Sequence, residues 1–217
     1  MGMISLLLQN SAGQMSIGLA EGDCVLFDST VDVDLNGSRS VESYVQAAFA
    51  YSGRTIADVD CVFVDIGPGG LGATRTTVAF ANAVGFAKSI PVIGMHAFEL
   101  IGHHAAQSLQ KPVVCIRPAA RPNYYMALYD QGILSEFSFV DTAVAKAFVR
   151  RHQATADFAG KFSFTEVDGV SEAAWPVSTI NSASIGSFLR VALDKYAKGV
   201  RSTRVYPISE NLSAKTL

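Results

Sequence analysis

The sequence predicts a mixed α/β fold of two lobes, and three observations point there. The chain opens with three short β-like runs joined by tight turns, the pattern of an antiparallel meander. From residue 41 onward, stretches of helical periodicity alternate with β-rich runs, the pattern that makes parallel strands through crossovers. Among the 217 residues, 49% are apolar and 17% charged, enough to build a substantial core.

Each element can be justified in turn. Ile4–Leu8 is a short apolar run, read as a buried strand, and Gln9-Asn10-Ser11-Ala12-Gly13 is turn chemistry. Met15–Ala20 alternates as a second strand; Glu21-Gly22-Asp23 turns tightly into a third, Cys24–Ser29. The polar stretch from Asp32 to Ser40, with Asn36-Gly37, is a loop. A helix over Val41–Tyr51 follows from apolar residues at Val41, Tyr44, Val45, Ala48 and Phe49, with Ser40 as N-cap. Asp60–Ile66 is a strand that ends at Gly67-Pro68-Gly69-Gly70-Leu71-Gly72 and leads into a helix over Ala73–Lys88. Pro91–Met95 is a strand and Ala97–Leu109 a helix. In the second half, Pro112–Arg117, Tyr124–Asp130 and Ile133–Val140 read as strands, Thr142–His152 as a helix, Phe162–Val167 as a strand and Asn181–Tyr196 as a helix. The tail from Lys198 is polar apart from Val205-Tyr206-Pro207-Ile208.

The order β-β-β-α-β-α-β-α is that of the RNase H-like unit of actin-like ATPases. The expected division is an RNase H-like lobe over residues 3–110 and a smaller α/β lobe over 111–217. A net charge of −2 without a basic stripe argues against unaided nucleic-acid binding. No run approaches the ~20 apolar residues of a membrane helix, and Met1-Gly2-Met3 does not begin a signal peptide. A cytoplasmic protein follows. Cys24, Cys61 and Cys115 each sit in a β-like run without a CxxC, so three buried, reduced thiols are expected and no zinc site.

The Gly-rich turn admits two readings. Uncovered backbone N–H groups at a helix N-terminus, with Thr74 and Arg75 in the first turns, suit an anion at Gly69, Gly70 and Gly72. Close strand-to-helix packing needs the same glycines. No lysine follows, so this is no P-loop, and it is not GxGxxG. The helix after it is rich in small residues, among them Ala79 and Ala83, which admit close approach by another helix. With the aromatics Tyr44, Phe49 and Tyr51, the two helices form a candidate protein–protein surface.

These motifs resemble the bacterial TsaB (YeaZ) family, which supports synthesis of threonylcarbamoyladenosine in transfer RNA. The family's Gly-Pro-Gly-Ser-Phe-Thr-Gly-Leu-Arg run stands here as Gly67-Pro68-Gly69-Gly70-Leu71-Gly72-Ala73-Thr74-Arg75. Ile90-Pro91-Val92-Ile93-Gly94 and the helix start Ser40-Val41-Glu42 are also similar, with a weaker echo at Ala119-Ala120-Arg121. Three features depart. The first strand ends in Leu8-Gln9-Asn10-Ser11 instead of Asp-Thr-Ser, the middle of the glycine motif differs, and the Asp of the second motif is Ala119. Gln9 cannot hold Mg²⁺ as a carboxylate does.

The resemblance implies an actin-like (RNase H-like) fold and a non-catalytic subunit. Such a subunit docks on a larger catalytic subunit, TsaD, is joined by the ATPase TsaE, and forms a homodimer when alone. Transfer RNA is met only through the complex. No resident cofactor or metal is expected, and ATP or ADP belongs, if anywhere, at the complex interface. The implied docking face comprises Val41, Tyr44, Val45, Ala48, Gly69, Arg75, Thr76, Ala79, Asn82, Ala83 and Phe86.

Other residues carry signals for other chemistry. His96 and His103 are one heptad apart with Glu99 between, about 10 Å along a helix axis, too far for one metal. His104 adds no HExxH, and there is no GxSxG. Asp28, Asp32, Asp34 and Asp65 are the acids near strand ends; Asp65 reads as a hydrogen-bonded strand-end carboxylate or as an acid in a cleft. Arg117–Tyr125 reads as a hairpin rim or an RNA contact, and Arg150-Arg151-His152 as a helix C-terminal charge cluster. The rival function is a small nucleotide-dependent phosphotransferase or glycoprotease-like peptidase working between the lobes.

Overall fold

A computed structural model describes residues 2–32, 35, 38, 40–162, 164, 176 and 178–209. Asp34, the Asn36-Gly37 loop and most of the expected strand Phe162–Val167 lie outside the described residues. Contacts divide the chain into one unit of Met1–Ala97 with Ser184–Ile208, and a second that holds Phe98–Ala183.

The first unit is built on a sheet of order β3-β2-β1-β4-β5. Its strands are β1 (Ile4–Gln9), β2 (Ser16–Glu21), β3 (Cys24–Asp28), β4 (Cys61–Asp65) and β5 (Val92–Met95). β1, β2 and β3 pair antiparallel; β1 with β4 and β4 with β5 pair parallel. This is the expected RNase H-like order. Every residue of β1 and β4 is buried, because helices cover both faces of the sheet. On one face, α1 (Val41–Ser52) and α2 (Leu71–Lys88) pack their Tyr44, Val45, Ala48, Val78 and Ala81 on Leu6, Leu8, Ile17, Leu19, Val62 and Val64. On the other lies α5 (Ile185–Ala197), so close that a Cβ at Gly18 would meet Ile185 Cγ2 at 2.4 Å.

Helix ends follow local chemistry. The Ser40 side chain accepts from Ser43 N–H to start α1, and Gly53, at φ +66°, ends it in the left-handed region. Ser184 accepts from Ser187 N–H, so α5 starts four residues later than periodicity alone predicts. α5 belongs to the first unit although it comes from the second half of the chain. Hydrophobic periodicity marks its apolar face but not the sheet that receives it.

The second unit repeats the plan with order β8-β7-β6-β9: β6 (Val113–Pro118), β7 (Tyr124–Asp130), β8 (Ile133–Val140) and β9 (Asp157–Ala159). β9 was not expected; three residues are too few to show alternation. α4 (Thr142–His152) places Ala145, Phe148 and Val149 on Val114, Ile116 and Met126. α3 (Ala97–Ala106) places Phe98, Ile101 and Ala105 on Val113, Cys115, Ala127 and Tyr129. Cys61 and Cys115 are buried as expected, but Cys24 is exposed, because β3 is an edge strand. No helix among the described residues is long and apolar enough to cross a membrane.

Candidate functional site

The Gly-rich turn joins the end of β4 to α2 and packs against the end of β1. Asp65 is fully buried. Gly67 N–H donates to its Oδ1 at 2.8 Å, and Ser11 N–H donates to its Oδ2 at 3.1 Å. One carboxylate thus ties two strand ends together. Gly67 has φ +93° and precedes Pro68 through a cis peptide. A Cβ on Gly69 would sit 2.1 Å from Ser11 O, so only glycine fits there.

The residues proposed for an anion cradle are placed as follows. Gly70 N–H donates to Ser11 O at 3.0 Å. The Thr74 hydroxyl donates back to Gly70 O at 3.0 Å, and Thr74 is buried. Gly72 and Arg75 are exposed. Thr76, exposed one position on, donates its hydroxyl to Gly72 O at 3.0 Å. Gln9 is buried and donates Nε2–H to Ser16 Oγ at 3.0 Å, so its amide is engaged within the sheet.

The faces of α1 and α2 differ from expectation in one respect. Val41, Tyr44, Val45 and Ala48 point into the core at 5% exposure or less, and are not part of an outward face. The periodicity identified one apolar face of α1, and the sheet takes it. The Tyr44 hydroxyl donates to Leu35 O at 2.8 Å, and burial raises its pKa. Of the α1 aromatics, Phe49 packs partly on the core and Tyr51 is 77% exposed. On α2, Thr74, Thr77, Val78, Ala81, Val84 and Gly85 face inward. Arg75, Thr76, Ala79, Ala83 and Phe86 face outward, and Phe86 is 87% exposed.

Beside α2 runs an extended segment over residues 202–208, which sequence reading treated as tail. Three anchors hold it. Val92 N–H donates to Ser202 O at 2.8 Å, and Ile208 N–H donates to Ile66 O at 2.7 Å. Between them Asn82 pairs with Val205 twice: its Nδ2–H donates to Val205 O at 2.9 Å, and Val205 N–H donates to its Oδ1 at 3.0 Å. Asn82 therefore holds this strap in place, and its amide is spent inside the unit. The signal in the sequence was Val205-Tyr206-Pro207-Ile208, an apolar run in a polar tail. Between α2 and the strap lies a groove of about 1590 Å³, lined by Arg75, Ala79, Ala83, Phe86, Arg201, Arg204 and Tyr206 among others.

The remaining candidates have structural settings. No group of three or more His, Cys, Asp or Glu among the described residues is placed to hold a metal ion. His103 Nδ1 lies 3.4 Å from the Tyr129 hydroxyl. Arg117 is buried, its Nη2–H donating to Asn181 O at 2.7 Å, and its cross-strand partner Tyr125 on β7 is buried too, whereas Arg121 is exposed at the hairpin rim. Arg151 pairs with Glu136 and stacks on Phe148, a local tie at the end of α4.

Comparison with known proteins agrees with this architecture. The model of the TsaD family, tRNA N6-adenosine threonylcarbamoyltransferase, matches residues 35–178, well over half of the chain. An uncharacterized protein of Mycobacterium tuberculosis is 35% identical over 112 residues, 51% of each chain. The tRNA N6-adenosine threonylcarbamoyltransferase of Bacillus subtilis is 37% identical over 70 residues, 32% of this chain and 20% of that one. The chain thus spans about half the length, or less, of the curated relatives it matches. YeaZ from Pseudomonas aeruginosa superposes with a TM-score of 0.65 at 15% identity, over 94% of this chain and 100% of that one. A second Pseudomonas aeruginosa structure, described as similar to peptidase YeaZ, gives 0.66 at 16% identity over 95% and 99%. The chain belongs to the tRNA N6-adenosine threonylcarbamoyltransferase (TsaD) family and has the actin-like fold of YeaZ (TsaB) along nearly its whole length.

Proposed function

We propose that the chain is a non-catalytic subunit in the threonylcarbamoyladenosine modification of transfer RNA, docking through α2 on a larger catalytic subunit of the TsaD type. The observation that carries this is the outward face of α2. Its inner face is fully used by the sheet, yet Ala79 and Ala83 lie open and Phe86 is 87% exposed. An exposed phenylalanine beside small residues and an arginine has the composition of an interface core, not of a solvated helix face. A non-catalytic role is supported by Gln9 in place of an acid and by Asp65, both of whose oxygens accept backbone N–H groups. A TsaE-type ATPase completes the complex in the cytoplasm, α2 mediates a homodimer when the catalytic subunit is absent, and transfer RNA and nucleotide are engaged through the assembly.

The test is association of the purified chain with the catalytic subunit of the same organism, measured by calorimetry, together with ATP hydrolysis by the chain alone. Ala79→Trp and Ala83→Trp are expected to abolish association and leave the fold unchanged, since both positions are exposed. Wild-type affinity in both variants, or ATP turnover by the isolated chain, would overturn the proposal.

A further inference from the structure

We propose that the groove between α2 and the strap 202–208 is the seat of an acidic, apolar-anchored polypeptide segment of the partner subunit, bound by Arg75, Arg201 and Arg204. This rests on the docking role proposed above and names what the docked element must be. The argument begins with charge. The chain carries a net −2, yet among the described residues three guanidinium groups and no carboxylate line this groove. The positive field is therefore local, and it calls for an occupant of opposite sign.

Two of the three cations are preset. Arg201 lies over the Tyr196 ring, 3.3 Å from its centroid, and its Nη1–H groups donate to Tyr196 O and Val200 O, each at 2.7 Å. Arg204 lies over the Tyr206 ring at 5.1 Å. Stacking holds each guanidinium plane, so less side-chain freedom is lost when a carboxylate is bound. Arg75 stands on the opposite wall, on α2.

Size and lining select the kind of occupant. At about 1590 Å³ the groove exceeds the roughly 300–1,000 Å³ of small-molecule sites. Ala83 and Phe86 add apolar surface to the α2 wall that also carries Arg75. A phosphate backbone would satisfy the arginines and leave that wall wet. A segment bearing carboxylates and apolar side chains satisfies both. The strap wall, which carries Arg201 and Arg204, stands where it does because Asn82 holds Val205, so Asn82 is a positioning residue for this site.

The experiment compares Arg75→Glu, Arg204→Glu and Ala83→Trp in the full chain. Affinity for the catalytic subunit is read by calorimetry at about 50 mM and about 500 mM salt. Each arginine reversal is expected to weaken binding about tenfold at low salt, the gap closing at high salt, with thermal unfolding unchanged. If both reversals bind as wild type and Ala83→Trp does not bind, the groove assignment falls and the docking role stands. Wild-type affinity in all three variants removes both. If the reversals lower retention of transfer RNA by the isolated chain while subunit affinity is unchanged, the arginines serve RNA and the inference is overturned.

Discussion

Replacing Asp65 by alanine should unfold the first unit at markedly lower temperature without any appeal to chemistry. The carboxylate is fully buried and accepts two backbone N–H groups, from Gly67 at 2.8 Å and Ser11 at 3.1 Å. Gly67 and Ser11 are buried too, and the alanine variant removes the carboxylate to which both N–H groups donate. Hydrogen bonds to a charged group are each worth about 1.5–3 kcal/mol, giving about 3–6 kcal/mol in all. For a chain of this size each kcal/mol lowers Tm by about 2–4 °C, so a fall of roughly 6–24 °C is expected. Asp65→Asn should fall between alanine and wild type, because its amide oxygen still accepts one N–H while its NH₂ opposes the other. Thermal unfolding followed by circular dichroism measures this. A Tm for Asp65→Ala within about 2 °C of wild type, combined with loss of modification by the reconstituted complex, would refute the structural reading. It would place Asp65 among reacting groups.

Two further outcomes follow from particular contacts. Asn82→Leu removes both partners of Val205, a residue only 9% exposed, and should loosen the strap by about 2–3 kcal/mol; faster trypsin cleavage after Arg201 and Arg204 reads it, and unchanged cleavage would contradict the clamp. Burial pushes the thiols of Cys61 and Cys115 up to about 12, whereas Cys24 is exposed. One thiol per native chain should therefore react with a disulfide reagent near pH ~8, and three after denaturation. The sign of the pH effect follows, since the folded-state values lie above the ordinary value of 9.0: the two protonated thiols contribute full stability below about pH 9, and that contribution is lost as pH rises toward about 12. Equal labelling of all three thiols in the native protein, or stability flat across that window, would contradict the burial.

Several elements were legible because their causes are local. Alternation and tight turns mark the meander β1–β3. Ser40 caps α1 through a bond to the residue three positions on. The Gly-rich turn announced a close approach, and Gly69 against Ser11 O is that approach. The two readings of Asp65 could not be separated in sequence, since the deciding donor, Ser11, is 54 positions away.

The sequence by itself determined the order of strands and helices apart from β9, the family motifs and which residues of each helix share a face, because these depend on neighbours within a few positions. Only tertiary structure decided what covers each face. It turned Val41, Tyr44, Val45 and Ala48 inward, assigned α5 to the first sheet, put Cys24 on an open edge, and joined Asn82 to Val205 across 123 positions. The physical reason is that burial is settled by whichever distant segment arrives, and periodicity carries no record of its partner.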